Sequence, residues 1–266
     1  MAKRCRGYLS DWVTIPDFRG QYFLKVNPAA YMGSSLYWLG WHHRWEIEYL
    51  ERSLRPDDVF IDVGANLGEF TVAAAGRVTE GRVIAFEPQD AIRHHLQGSV
   101  AMNGFSNVTV LPYCLGAAAG DGSLFEVEEY WHAKLRNEGL STQFPRENGG
   151  KKARTISLQA LDQLMGTLMV ERIDWMKIDV EGAEWAVLQG AEQSIREFKP
   201  NILLEIDHQN FKAAGYTAKD LLAWLGAMGY RAYRFTRWGK LVPLPQLRPV
   251  GGSFNVLMLS RDANLS

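Results

Sequence analysis

The sequence predicts an α/β fold, a Rossmann-like, mostly parallel seven-stranded sheet with an antiparallel last strand and helices on both faces. Three observations lead there. From residue 59 onward, short apolar runs alternate with helix-length stretches, the βαβαβ order that builds parallel sheets with right-handed crossovers. The first run, Val59–Val63, continues into a glycine-spaced turn, Asp62-Val63-Gly64-Ala65-Asn66-Leu67-Gly68, which opens a helix. The last two runs, Tyr230–Phe235 and Phe254–Leu259, are joined by a Pro-containing loop rather than a helix, which favours an antiparallel end.

Taken in order, residues 1–50 stand apart. They hold Trp12, Trp38, Trp41 and Trp45 with Tyr8, Tyr22, Tyr31 and Tyr37, and Gly and Pro break them into short pieces. They read as an aromatic-rich extension, a lid or a source of substrate or oligomer contacts, ahead of a main domain at 51–266. Ile47, Leu50 and Leu54 share a helical face, and Arg55-Pro56-Asp57-Asp58 is a turn. Strands are expected at 59–63, 82–86 and 108–112, with helices from about Leu67 to Arg77 and from about Asp90 to Met102. Asn103-Gly104 tolerates the left-handed conformation that ends the second helix. Residues 116–157, rich in Gly and charge, include Gly120-Asp121-Gly122 and Gly149-Gly150-Lys151-Lys152 and suggest an inserted flap or hairpin. Helix signals resume at Ser157–Leu164. A strand at 173–178, a helix at about 184–198, a strand at 201–206 and a helix at about 217–228 complete the alternation before the final strand pair.

Composition sets bounds. The 266 residues are 47% hydrophobic and 22% charged, enough for one globular domain with an appendage. A net charge of −1 provides no field that would gather nucleic acid or an anionic membrane. Two cysteines, Cys5 and Cys114, make no disulfide framework and suit free thiols in a reducing compartment. The basic N-terminus is followed by no apolar h-region, and no run reaches the ~20 residues of a membrane span, so the expected location is cytoplasmic.

The chemistry concentrates at predicted strand ends. Gly64 and Gly68 allow close approach of backbone to ligand, and Glu87 follows Asp62 by 25 positions at the tip of the neighbouring strand. Glu87 is placed to accept hydrogen bonds from both hydroxyls of a ribose. Asp62 would repel a pyrophosphate but suits the ammonium of an amino-acid cofactor. S-adenosylmethionine has that ammonium and no phosphate, so Asp62, Gly64, Asn66, Gly68 and Glu87 are its expected ligands, with Cys114 and Leu115 lining the adenine pocket. A second cluster runs Lys177-Ile178-Asp179-Val180-Glu181-Gly182-Ala183-Glu184. Its carboxylates could orient substrate hydroxyls, act as base or bind a divalent ion, while Lys177 could pair with a neighbouring acid. The strand ending Glu205-Ile206-Asp207-His208 offers a histidine of near-neutral pKa as general base. Asp179, Glu181 and His208 are the catalytic candidates. Asp179 with Glu205 or Asp207 could form an oxygen-ligand site, although no metal is predicted.

Together these residues resemble the FkbM family of S-adenosylmethionine-dependent methyltransferases. The matching pieces are Phe60-Ile61-Asp62-Val63-Gly64-Ala65-Asn66-Leu67-Gly68, Val83-Ile84-Ala85-Phe86-Glu87-Pro88, Asn103-Gly104-Phe105-Ser106-Asn107-Val108, Ser157–Asp162, Lys177–Glu184 and Pro200–Ile206. The resemblance implies a class I methyltransferase sheet and methyl transfer, usually to oxygen on a sugar, glycan or natural product, with a small-molecule or glycan acceptor and no nucleic-acid partner. Glu69 stands where an aromatic or other bulky residue is expected. The acceptor and any homo-oligomer are not implied, because residues 1–50 and 209–266 lie outside the match. Two rivals are a nicotinamide-dependent oxidoreductase, opposed by Asp62 and the reversed last strand, and a non-catalytic cofactor-binding module, opposed by the intact acidic clusters.

Overall fold

The structure, a computed structural model, describes residues 12–126, 141–144, 153–244 and 252–260. The chain opens with an antiparallel hairpin, β1 (Val13–Phe18) and β2 (Tyr22–Val26), then α1 (Tyr31–Leu39) and α2 (Arg44–Ser53). The alternating part begins with β3 (Val59–Val63), α3 (Glu69–Ala75), β4 (Arg82–Phe86), α4 (Asp90–Met102) and β5 (Val108–Leu111). A small second sheet follows, made of β6 (Cys114–Leu115), β7 (Gly120–Glu126), β8 (Ser141–Thr142) and β9 (Ala153–Gln159). Next come α5 (Leu161–Leu164), β10 (Trp175–Ile178), α6 (Glu184–Gly190), α7 (Glu192–Phe198), β11 (Asn201–Asp207) and α8 (His208–Ala214). The chain then runs through α9 (Ala218–Ala227), β12 (Tyr230–Phe235), β13 (Leu241–Pro243) and β14 (Ser253–Ser260).

Among the described residues the large sheet has eight strands in the order β13-β12-β14-β11-β10-β3-β4-β5. Strands β11, β10, β3, β4 and β5 are parallel, and β14 runs antiparallel between β11 and β12. The expected reversed last strand is present. The eighth strand, β13, is an edge addition that the sequence did not suggest. It pairs only with β12 and carries Pro243, which an edge strand tolerates because one side needs no donor.

Side-chain parity sorts the two faces. Ile61, Val63, Met176, Ile178, Ile202 and Leu204 enter one apolar cluster; Phe60, Trp175 and Leu203 enter the other, beneath Ile47 and Leu50 of α2 and Phe70 and Ala73 of α3. Because successive strand residues alternate, Asp62, Lys177 and Glu205 share the face of Phe60, Trp175 and Leu203. The strand ends on that face lie beneath the N-terminal elements.

Those elements are tied down by specific bonds. On the β2–α4 contact, Asn103 accepts from Phe23 N (2.8 Å) and donates to Phe23 O (2.7 Å), while Lys25 N donates to Ser99 Oγ (2.9 Å). Arg19 makes a two-pronged contact with Glu51 (3.1 and 2.7 Å), and Phe18, Leu24, Val26 and Leu36 pack with Leu67, Val72 and Ile92.

Other departures from expectation have local causes. The helix expected at Ser157–Leu164 is strand through Gln159, because β9 lies between β6 and β7, and only Leu161–Leu164 is helical. The helix expected over 184–198 is two helices that meet at Ala191. Residues 208–214 form an unexpected helix because the Asp207 side chain accepts from Gln209 N and Asn210 N, so the apparent strand end is also a helix cap. Cys5, Tyr8 and much of the expected flap, including Gly149-Gly150-Lys151-Lys152, lie outside the described residues.

Gly190 couples the small sheet to α6. A Cβ there would stand 2.0 Å from Gly116 O and 3.3 Å from Ala160 Cα. Helix propensity favours Ala over Gly by ~1 kcal/mol, so Gly190→Ala separates the two effects. The expected outcome is a net loss of ~1–3 kcal/mol in urea unfolding, the scale of core overpacking; a gain in stability would show that the contact is slack.

Candidate active site

The turn after β3 is built from left-handed backbone. Gly64, Asn66 and Gly68 have φ of 77°, 48° and 89°. Gly64 has a second constraint, since a Cβ there would lie 2.0 Å from the carbonyl oxygen of Asp179. Gly64 N and Ala65 N donate to Phe86 O at 3.1 and 3.0 Å, which sets the turn beside the end of β4. Glu87 sits there, almost fully buried. Its Oε2 accepts from Asn66 N (2.9 Å) and its Oε1 from Gln89 N (2.8 Å). Burial pushes the Glu87 carboxyl up to about 7, against the opposing pull of these two N–H groups. Asn66 Oδ1 is buried without a hydrogen-bond partner among the described residues.

Asp62, expected to meet a cofactor ammonium, lies at the end of β3 with its Oδ1 buried and without a hydrogen-bond partner among the described residues. It is completely buried; Thr71 Oγ1 of α3 donates to its Oδ2 at 2.6 Å, and Lys177 Nζ stands 3.5 Å from its Oδ1. Parity is the cause: Asp62 points to the face covered by α3, beneath the turn. Lys177 lies opposite Asp62 in the β10–β3 register, donates to Gly64 O at 2.6 Å and pairs with Asp179 at 3.4 Å. Burial pushes the Asp62 carboxyl up, with Lys177 pulling it back.

Beyond β10 and β11 the acids gather. Oxygens of Asp179, Glu181 and Glu205 lie within 4.8 Å of one another, an oxygen-rich group that could hold a cation. Burial acts against ionisation of Asp179, but the neighbouring Lys177 ammonium and a hydrogen bond with Glu205 leave its carboxyl below the usual range. Burial and Asp179 push Glu205 well up, and burial also raises Glu181. Glu181 has a left-handed φ of 54°, and its Oε2 accepts from Asn210 Nδ2 at 2.7 Å. Thr142 Oγ1 of β8 donates to Glu181 O at 2.7 Å, which brings the small sheet to this loop. Glu184 shapes the loop from beneath, accepting from Val180 N, Gly182 N and Tyr216 Oη, each at 3.0 Å.

His208 opens α8 with its ring 6.2 Å from Phe254 and its buried Nε2 without a partner among the described residues. Cys114 lies in β6, where Gln143 Nε2 donates to its Sγ at 3.1 Å and burial pushes the thiol up to about 12. Leu115 enters the main core cluster. The structure thus brings Gly64, Asn66, Gly68 and Glu87 together at one turn and Asp179, Glu181 and Glu205 at another. Asp62 and Lys177 lie beneath both, and Leu115 faces the core.

Three residues that sequence reasoning did not assign to the site also converge here. Glu69, the first residue of α3, is fully buried. It accepts from His42 N (2.8 Å) and His43 N (3.1 Å) and pairs with His43 Nδ1 (2.9 Å). Both histidines lie within electrostatic reach of Asp179. The one signal in the sequence was an acid inside the first turn of a helix that otherwise reads as apolar.

Comparison with known proteins identifies the family and the fold. The model of the methyltransferase FkbM domain matches residues 62–232, more than half of the chain. Methyltransferase sdnD of Sordaria araneosa is 28% identical over 174 residues, which cover 56% of this chain and 67% of that protein. AMB antimetabolite synthetase AmbE of Pseudomonas aeruginosa is 30% identical over 192 residues, 61% of this chain but 9% of that much longer protein. The crystal structure of a methyltransferase FkbM from Methylobacillus flagellatus shares the fold, with a TM-score of 0.50 at 17% identity over 77% of this chain and 44% of that one. No helix among the described residues is long and apolar enough to cross a membrane.

The buried acids set the pH dependence of stability. Glu87 and Glu184, pushed to about 7 by burial, and Glu181, Glu205 and Asp62, also raised, bind protons more tightly folded than unfolded. The stability linked to them is complete below the unfolded carboxyl range and is lost as pH rises through the folded values. His43, also raised, acts in the same direction, while His42, pushed down to about 4, acts in the opposite one below neutrality. The Tm of the ligand-free protein should therefore fall between about pH 6 and about pH 8.5, and Glu181→Gln should reduce that fall. A Tm that rises across this range would contradict the assignment.

Proposed function

The chain belongs to the FkbM methyltransferase family, and from that membership we propose that it transfers the methyl group of S-adenosylmethionine to a hydroxyl oxygen of a sugar, glycan or natural product. The observation that carries the cofactor is Glu87, a buried carboxylate at the tip of β4 that holds two backbone N–H groups and faces the glycine turn. Each carboxylate oxygen can take a second donor, which suits the paired hydroxyls of a ribose. Asn66 Oδ1, a buried acceptor without a partner, calls for a donor at the same turn and suits a ribose hydroxyl or an ammonium. Carboxylates here disfavour a pyrophosphate, which argues against a nicotinamide dinucleotide.

When bound, S-adenosylmethionine supplies an electrophilic methyl group on a sulfonium centre. The chain's work is then to hold the acceptor oxygen in line with it at near-attack distance. Asp179 is the residue we assign to that task. Held ionised by Lys177, it accepts the hydrogen bond of the acceptor hydroxyl and directs the oxygen lone pair. The low proton affinity of its carboxyl makes it an orienting group. Burial pushes the Glu181 and Glu205 carboxyls up, and in the protonated form they offer donors to neighbouring acceptor oxygens. His208 and Asn210, from the start of α8, border the Glu181 side. Gly64 and Gly68 shape the cofactor turn, Cys114 lies within electrostatic reach of Glu87, and Asp62 supports the turn through Lys177. Residues 12–50 of the extension pack over this face of the main domain and bound the acceptor side.

Calorimetry with S-adenosylmethionine and with NAD tests the cofactor. Binding of the first and not the second is expected. Glu87→Ala removes charge-assisted hydrogen bonds worth ~1.5–3 kcal/mol and should weaken binding about tenfold or more. An acceptor screen of sugars and hydroxylated natural products, read as S-adenosylhomocysteine released, tests the chemistry. With an acceptor in hand, Asp179→Asn should lower kcat by ~10²–10⁴-fold and leave cofactor affinity within a few-fold. Unchanged affinity in Glu87→Ala would remove the cofactor assignment.

A further inference from the structure

Glu69 and the two histidines it holds are a built arrangement. The buried carboxylate takes both backbone N–H groups of His42 and His43 and contacts the His43 ring nitrogen Nδ1 at 2.9 Å. A carboxylate on Nδ1 fixes the proton there, so the lone pair of the neutral ring is on Nε2. The ring is also confined by Phe70, 5.3 Å away, and by the edge of His42 at 4.5 Å. The other charged groups that bear on it are Glu46, from α2, and Asp179, at the end of β10; Lys177 Nζ lies 5.5 Å from the same Phe70 ring. His43 keeps 17% of its side chain accessible. Glu69 and Phe70 begin α3, which starts at the turn carrying Asn66 and Gly68, so one short segment fixes both the cofactor turn and this imidazole.

We propose that His43 Nε2 accepts the proton of the acceptor hydroxyl in the methyl transfer, with Glu69 as the positioning residue behind it. This rests on the reading of the site as a methyltransferase that uses S-adenosylmethionine. The O–H bond breaks and its electron pair stays on the acceptor oxygen as the new O–C bond forms; the pair of the broken C–S bond leaves with sulfur. The proton moves to Nε2, and the resulting imidazolium is held as an ion pair with Glu69 until it releases the proton to water. His42 is a poor candidate for this role, because burial pushes it down to about 4. Asp179 orients the hydroxyl while His43 takes its proton, so the two halves of the site are supplied by β10 and by the N-terminal segment.

NMR of the full chain labelled with ¹⁵N-histidine tests this without an acceptor. Two probes are S-adenosylhomocysteine and sinefungin, which carries an amine in place of the transferred methyl. If His43 Nε2 faces the path of the transferred methyl, the sinefungin ammonium stands beside it, and the His43 pKa should be lower than with S-adenosylhomocysteine by about 0.5 or more. In Glu69→Gln, the ¹⁵N shifts should show loss of the single Nδ1–H tautomer and a fall in the His43 pKa. Equal His43 pKa values with the two ligands bound would overturn the assignment of His43 and leave the cofactor reading intact. If neither ligand bound the wild-type chain, the cofactor reading would fall first and this one with it.

Discussion

The Lys177 ammonium is the interaction on which the ligand face depends. It is buried between the Asp62 carboxylate, the Gly64 carbonyl and the Asp179 carboxylate. A buried charge is tolerated only when its neighbours answer it, and removing one partner leaves the rest uncompensated. The register that sets Lys177 opposite Asp62 therefore does more than align two strands. It commits Asp62 to internal support, draws the glycine turn down onto the sheet, and keeps Asp179 charged where the strands end. The close approach of Gly64 to the Asp179 backbone follows from the same attachment.

Around that cation the loops are held by one recurring device, a buried carboxylate that collects backbone N–H groups from another segment. Glu69 gathers His42 and His43, Glu87 gathers Asn66 and Gln89, and Glu184 gathers Val180 and Gly182. Asp162, only partly buried, likewise accepts from Gln193 N and Ser194 N at the start of α7. Loop backbone that cannot pair within a sheet or helix still needs partners when buried, and charged acceptors make the stronger bonds. The irregular segments near the site are thereby fixed by acids.

Much of this could be read from the sequence, for reasons that differ by residue. The strand at 59–63, the turn through Gly68 and the acid at 87 are local patterns, and the reversed last strand follows from a missing crossover helix. Asp62 could be placed at a strand end, but its orientation depends on which face α3 covers, and a run buried on both faces carries no polar alternation to show it. Glu69 looked like an inconsequential departure from the family pattern because its partners lie 26 and 27 positions upstream in a segment without periodicity. Asp207 and His208 read as a strand tip, since one residue can both end a strand and cap a helix. The hairpin of β1 and β2 was hidden because its strands are short and its pairing has an irregular register between Ile15 and Phe18.

The position of β14 bears on how the chain is made. It is the last strand of the large sheet to be synthesised, yet it lies in the interior, between β11 and β12. Until it emerges from the ribosome, β11 presents an open apolar edge and no strand pairing joins β12 and β13 to the parallel strands. The growing polypeptide must therefore keep a half-built sheet apart from other nascent chains, a period in which unpaired edges invite misassociation. Insertion of β14 then acts as a latch that joins earlier-made and later-made parts in one step, and translation pace over the stretch of message that encodes it becomes a determinant of yield.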